Sequence, residues 1–288
     1  MPSGIIIIDK PADWTSMDVC AKLRGILKER RIGHGGTLDP MATGVLPVFV
    51  GNAAKAVEFA EKGDKEYIAG LRLGLVTNTQ DTTGETLETR PVSVSRAELE
   101  AVLARFTGAI EQVPPMFSAI KIKGKKLYEL ARKGQEVERR PRPVTIHSLD
   151  VLEPAAPDRF LLRVRCSKGT YIRTLCHDIG QALGCGGCMD ELRRTMAAGF
   201  TIDQAVTLEQ VQERGEVLLL PVDRLFTVYP AFQLTTPRQE HACRNGCPVE
   251  AKGLEPGTYR VYGQAGDFLC LSRYGNGQLR SIKNFFGS

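Results

Sequence analysis

The apolar positions of this chain fall into two kinds of run. Residues 5–8 are four consecutive isoleucines bounded by Gly4 and Asp9, which predicts a buried strand. The run is too short for an export signal and has no basic segment before it. Residues 45–50 and 65–73 read as further strands, and so do 144–152 and 160–166. In the last of these, Leu162, Val164 and Cys166 alternate with Arg163 and Arg165, the pattern of a half-buried strand. Helical spacing alternates with these runs. Thr15 and Asp18 supply N-cap chemistry ahead of Val19, Leu23, Ile26 and Leu27. Ser95 and Glu98 do the same ahead of Leu99, Val102, Leu103 and Phe106. Residues 52–62 predict another helix. Residues 170–183 predict one ended by Gly184, with Tyr171, Leu175, Ile179 and Leu183 near one face.

Residues 114–143 break this rhythm. Pro114-Pro115 opens the segment and Pro141-Arg142-Pro143 closes it, around a basic strand-like piece and a short helix near 127–133. The pattern predicts an insertion projecting from the core. Charge sharpens that picture. The 288 residues carry 38 basic and 33 acidic side chains, a net of +5, too little to announce a nucleic-acid partner. Residues 121–143 hold nine basic residues against three acidic, so this stretch nets +6 and the remaining 265 residues net −1. The positive field is therefore local. From about residue 229 the chain turns Gly-rich, with strand-like runs at 258–262, 268–272 and 279–285. That predicts a small β-barrel near the lower size limit for a self-standing core. An apolar share of 42% and a charged share of 25% exclude wholesale disorder and fibrous repeats. No apolar run approaches the roughly 18 residues of a membrane helix, so no membrane partner is expected.

The most unusual stretch is Gly33-His34-Gly35-Gly36-Thr37-Leu38-Asp39-Pro40. Its glycines permit close approach to the backbone, and Pro40 restrains Asp39 to an extended conformation. A phosphate loop is excluded because the order GxxxxGK[ST] is absent, and no GxGxxG opens a helix here. By itself the loop has two readings: a Gly-rich hairpin with Asp39 as a turn residue, or one carboxylate held for chemistry. Eight cysteines in a chain of this length, without an export signal, read as reduced thiols. Cys185 with Cys188 and Cys243 with Cys247 could supply four zinc thiolates. The pairs lie far apart in unlike surroundings, so no metal is expected.

An ordered set of motifs carries a family resemblance. The stretch from Gly33 to Gly44 resembles the catalytic motif of the tRNA pseudouridine synthase B family. Ile8-Asp9-Lys10-Pro11 is similar to that family's N-terminal box, and Lys65-Glu66-Tyr67-Ile68-Ala69 to its KxYxA motif. Thr77-x-Thr79-x-Asp81-x-x-Gly84 resembles another family segment. Pro114-Pro115-x-x-Ser118-Ala119-Ile120-Lys121 resembles the start of the RNA-gripping insertion. Cys166-Ser167-Lys168-Gly169-Thr170-Tyr171-Ile172-Arg173 resembles the arginine motif, and Leu192-Arg193-Arg194-Thr195 follows in place. Near position 188 the family commonly has a His where this chain has Cys188. The last 60 or so residues resemble a PUA RNA-binding domain by position and character.

The resemblance implies an α/β fold of the α+β type, with a central, mostly antiparallel mixed sheet and a C-terminal β-barrel. It implies a catalytic domain over 1–228, with its insertion at about 114–143, and a PUA-like domain over 229–288. The implied activity is isomerisation of uridine to pseudouridine at position 55 in the tRNA T loop, with the base flipped out and no cofactor. Asp39 is the implied catalytic carboxylate, as nucleophile or as base at C2′, and Arg173 its partner. Tyr67 is the aromatic under the target base, and its phenol could also serve proton transfer at C5. Leu192 is the apolar wall of the uracil pocket, His34 a binding residue at the disturbed loop, and Lys10 a support for the active-site loop. Asp81 contacts RNA or braces a neighbour. Lys121, Lys123, Lys125, Lys126, Arg132 and Arg140 are among the implied clamp contacts to phosphates. The implied partner is the tRNA T stem-loop, read by a cytoplasmic monomer without a guide RNA. A tRNA-folding role is compatible with the same clamp.

Overall fold

The computed structural model describes residues 2–122 and 124–286. Its main feature among those residues is a nine-stranded mixed sheet. Along the path the strands run Gly4–Lys10, Thr43–Val50, Gly187–Ala197, Lys65–Leu73, Arg159–Cys166, Arg142–Ala156 and Gly108–Gln112. Ile32–His34 pairs beside Thr43–Val50, and Phe200–Thr201 beside Gly187–Ala197. Every pairing in it is antiparallel except one. Gly187–Ala197 runs parallel to Thr43–Val50, with Arg193 opposite Thr43 and Arg194 opposite Gly44.

The hydropathy runs map onto this sheet for simple reasons. Ile5, Ile6, Ile7 and Ile8 are all buried because the strand is covered on both faces. Ile6 and Ile8 meet Val19, Leu23 and Leu27 of the helix Ser16–Leu27, while Ile5 and Ile7 face a second cluster containing Phe49 and Phe226. The Arg159–Cys166 strand buries Leu162, Val164 and Cys166 and exposes Arg163 and Arg165. Both expected capping boxes form. Asp18 N donates to Thr15 Oγ1 at 3.1 Å, and Thr15 N to Asp18 Oδ2 at 2.9 Å. Ser95 and Glu98 make the same reciprocal pair ahead of Arg96–Leu103. The helix expected over 52–62 differs in detail: it begins as a 3-10 turn, Gly51–Ala56, and becomes α-helical only over Val57–Lys62. Ala53 and Ala56 are fully buried there, and only small side chains suit so tight a turn against the sheet.

The strand Gly187–Ala197 has no hydropathy signature, since it carries Asp190, Glu191, Arg193 and Arg194. It nevertheless crosses the middle of the sheet. Each charge has a partner: Asp190 and Glu191 meet Arg159, Arg193 meets Asp9, and Arg194 meets backbone carbonyls. Paired in this way, charges tolerate a central position.

The insertion leaves the sheet at its far edge. Its two ends continue Gly108–Gln112 and Arg142–Ala156, which are neighbours with Gln112 opposite Arg142. Inside it, Lys121–Ile122 pairs with Lys125–Lys126 ahead of the helix Leu127–Ala131. Lys123 lies outside the described residues. The C-terminal strands form a second, five-stranded curled sheet, a half-barrel that fits a PUA-like domain. It carries a helix, Pro237–Arg244, that hydropathy did not reveal. Its Phe268 and Phe285 pack on Phe226, which in turn meets Phe59 edge-on at 5.3 Å.

Candidate active site

The loop bearing Asp39 joins Ile32–His34 to Thr43–Val50 and is anchored from behind at three backbone points, Gly36, Leu38 and Pro40. Lys10 is fully buried, and its Nζ donates to the carbonyls of Pro11 and Trp14 at 2.7 Å and of Pro40 at 3.1 Å. Burial pushes that ammonium down to about 8. Leu38 N donates to Ser16 Oγ at 2.9 Å. Arg194, also fully buried, donates from Nη2 to Gly36 O at 3.1 Å and from Nε to Val45 O at 2.7 Å. Both residues flanking Asp39 are thus tied down, while the Asp39 side chain remains 39% exposed.

Arg173 reaches Asp39 from the helix Ile172–Ala182. Its Nε lies 3.0 Å from Asp39 Oδ2. The rest of the guanidinium is spent on two other segments. Nη1 donates to Thr79 O at 3.2 Å and to Asp81 Oδ2 at 3.4 Å, and Nη2 to Phe117 O at 2.9 Å. Asp81 is buried, and its Oδ1 accepts from Thr79 Oγ1 at 2.7 Å and from Thr83 N at 3.0 Å. Of the two roles open to Asp81, bracing a neighbour is the one this geometry supports; the carboxylate faces Arg173 from inside the protein. The Asp81 loop is itself fixed to the central strand, because Thr82 N donates to Met189 O and Met189 N to Gln80 O.

Tyr67 and Leu192 share one buried cluster with Leu38 and Ala42 of the Asp39 loop. Register explains it: on adjacent strands Tyr67 stands opposite Arg194, and Leu192 opposite Ala69. Burial raises the Tyr67 phenol, so at neutral pH it is a proton donor rather than a phenolate. His34 precedes the loop. Its ring is lowered by burial and by the nearby Arg194 charge, and Nδ1 is buried without a hydrogen-bond partner among the described residues.

Among the clamp residues, Lys121, Lys125, Arg132 and Arg140 are exposed. Lys126 and Arg132 both lie over the Tyr128 ring, each 5.3 Å from its centroid. The cysteine pairs are separated: Cys188 is buried in the central strand, and Cys243 is buried beside Cys270, with the sulfurs 3.5 Å apart. Among the described residues no group of three or more His, Cys, Asp or Glu is placed to hold a metal. Sequence reasoning took Leu192 from its motif and overlooked Arg194, two residues on.

Residues 24–172 match the sequence profile described as TruB family pseudouridylate synthase (N terminal domain). Residues 173–227 match the tRNA pseudouridylate synthase B C-terminal domain. The tRNA pseudouridine synthase B of Clostridium kluyveri is 40% identical over 98% of this chain and 99% of its own length. That of Ralstonia nicotianae is 45% identical over 96% and 92%. Among solved structures, a chain of a Cbf5–Nop10–Gar1 complex is similar with a TM-score of 0.74 and 26% identity, covering 98% of this chain and 85% of that one. Sheet, site and relatives together define a pseudouridine synthase. The chain belongs to the TruB family, and its reaction is the isomerisation of uridine to pseudouridine in tRNA.

Proposed function

We propose that the chain modifies the uridine at position 55 of the T loop, acting as a monomer on bare tRNA without a guide RNA. The observation that carries this reading is a partly exposed Asp39 held 3.0 Å from a buried arginine, on a loop whose Leu38 and Ala42 pack in one cluster with Tyr67 and Leu192. A base stacked inside a folded loop must leave the stack before it can reach such a site. Tyr67 then lies against its face and Leu192 against its edge. Asp39 acts on the ribose, as a nucleophile at C1′ or as the base that takes the C2′ proton. On either route the C1′–N1 bond breaks, the base turns, C1′ joins C5, and the C5 hydrogen leaves as a proton. Oxidation state is unchanged, so no redox partner is called for.

Release of tritium from uridine labelled at C5 in an otherwise unmodified tRNA transcript tests this. Wild type should release it, and a transcript with cytidine at position 55 should release none. Asp39→Asn should slow release by about 100- to 10 000-fold, the scale of a positioned acid–base or nucleophilic group. Undiminished release by Asp39→Asn would refute the role given to that residue. Deuterium at C2′ separates the two routes, since only proton removal there gives a primary isotope effect.

The exposed cations of the insertion favour a second activity, remodelling of the tRNA elbow. Asp39→Asn should retain any refolding activity, and charge reversal over 121–133 should abolish it. Refolding that survives the reversal would reject the idea.

A further inference from the structure

The helix Ile172–Ala182, which carries Arg173, is not capped by its own sequence. Its N-cap residue is Tyr171, whose side chain makes no capping bond. Groups at a helix start need partners from outside the helix. Here the partner is the side chain of Gln112, the last residue of the strand Gly108–Gln112. Gln112 is buried, and its amide closes on the Tyr171 backbone. Tyr171 N donates to Gln112 Oε1 at 2.8 Å, and Gln112 Nε2 donates to Tyr171 O at 3.0 Å. The same carbonyl accepts from Leu175 N at 3.0 Å, the first bond of the helix. The clasp repeats the two-bond exchange of an antiparallel ladder, with a side chain in place of a strand. Burying an amide is costly unless its donor and acceptor are both paired. An apolar side chain of similar length would carry no such cost, so what the amide contributes is the placement of Tyr171.

Arg173 follows Tyr171 by two residues, and the chain that follows Gln112 meets it again. That chain runs through Pro114 and Pro115 to Phe117, whose carbonyl accepts from Arg173 Nη2 at 2.9 Å. The prolines restrict φ and stiffen the span between the two contacts. On the other side, Thr174 Oγ1 donates to Gln80 Oε1 at 2.7 Å. The backbone of Arg173 is therefore held on both sides, by Gln112 through Tyr171 and by Gln80 through Thr174. From this root its Nε reaches to 3.0 Å from Asp39 Oδ2. Gln112 itself stands opposite Arg142 in the large sheet, so the sheet is the frame against which the helix start is set.

We infer that Gln112 is a positioning residue for the isomerisation: its amide fixes the backbone from which Arg173 reaches Asp39. The inference rests on the roles given to Asp39 and Arg173 in the proposed function. Without the clasp the helix start shifts, and Arg173 keeps its brace at Asp81 while losing its aim at Asp39. A shift of about 1 Å at a reacting group costs about 100-fold in rate. Affinity for RNA is untouched, since a buried amide meets no phosphate.

A double-mutant cycle with Arg173 tests this. Gln112→Met should slow single-turnover tritium release from C5-labelled tRNA by about 10- to 100-fold, with tRNA Kd unchanged. In an Arg173→Lys background the same substitution should cost less than about twofold, because the aim it maintains is already lost. Gln112→Asn keeps an uncharged amide one methylene too short for both bonds, and it carries the same cycle should Gln112→Met fail to fold. It should slow release by about tenfold and likewise cost almost nothing beside Arg173→Lys. A loss that persists in full in the Arg173→Lys background marks a general packing role and overturns the inference. Unchanged release overturns it too, as does a loss that lies wholly in tRNA Kd. Tritium release by Asp39→Asn is the separate control. Undiminished release there defeats the functional reading, whereas a slow Asp39→Asn beside an additive Gln112 loss defeats the positioning role alone.

Discussion

Arg173 Nε lies 3.0 Å from Oδ2 of Asp39, and the same guanidinium is held from behind by Asp81. One arginine therefore aims the exposed carboxylate while a buried carboxylate aims the arginine. Planar, forked donors suit that double task, and a lysine cannot reproduce it. Arg173→Lys should lower kcat by about 100-fold with little change in tRNA Kd, because small misplacements at a reacting group cost that much. Single-turnover tritium release and filter binding would check it. An equal loss in binding would mean that Arg173 grips RNA instead.

Asp81→Asn keeps the shape and the acceptor of the brace but removes its charge. It should slow catalysis while leaving the RNA salt slope unchanged, since a buried carboxylate meets no phosphate. A changed slope would return Asp81 to the RNA interface.

Lys65 is buried, donates to Glu61 O at 3.0 Å and Gly63 O at 2.6 Å, and is pushed down to about 8 from the ordinary 10.5. Between about pH 8 and 10.5 the unfolded chain holds a proton on Lys65 that the native protein has lost. The lysine's contribution to stability therefore rises with pH across that window, by up to about 1.4 kcal/mol per unit. Buried thiols such as Cys20 and Cys166, raised to about 11, act in the opposite direction. The difference in urea unfolding free energy between wild type and Lys65→Met isolates the lysine. That difference should grow from pH 8 to 10, and a flat difference would contradict the burial of a charged Lys65.

Neutralising Lys125, Arg132 and Arg140 to glutamine should flatten the plot of log affinity against log salt by about 0.7–0.9 per lost phosphate contact. Catalysis on saturating tRNA should persist. An unchanged slope would place the phosphate footprint elsewhere.

Gly44 has φ +98°, and a Cβ there would stand 2.2 Å from the Arg194 carbonyl oxygen. Gly44→Ala combines a disfavoured backbone with a collision against backbone, so it should cost about 3 kcal/mol in urea unfolding. A cost under about 1 kcal/mol would show that the two strands separate easily.

Much of this architecture is legible in the sequence. The isoleucine run, the alternation over 160–166 and the two capping boxes each follow from local chemistry. Asp39, Tyr67 and Arg173 are a different matter: periodicity cannot separate them from a turn residue, a strand aromatic and a helix arginine. Family motifs single them out, and the structure brings them together. Arg194 is hidden for a physical reason. A long cation reads as surface, and its burial depends on carbonyls 149 and 158 residues away in the chain. The strand Gly187–Ala197 is hidden likewise, because each of its charges is matched by a partner from another segment.

The single parallel junction in the large sheet has a further consequence. It is a seam. Asp39 hangs from the strands on one side of it, and Tyr67 and Arg173 belong to the other, so the reacting carboxylate and its guide are sewn together across it. The stitches are Arg193 to Asp9 and Arg194 to Val45 and Gly36, with bare Gly44 allowing the edges to meet. The join therefore fixes the distance between the carboxylate and its guide, which stand on opposite sides of it.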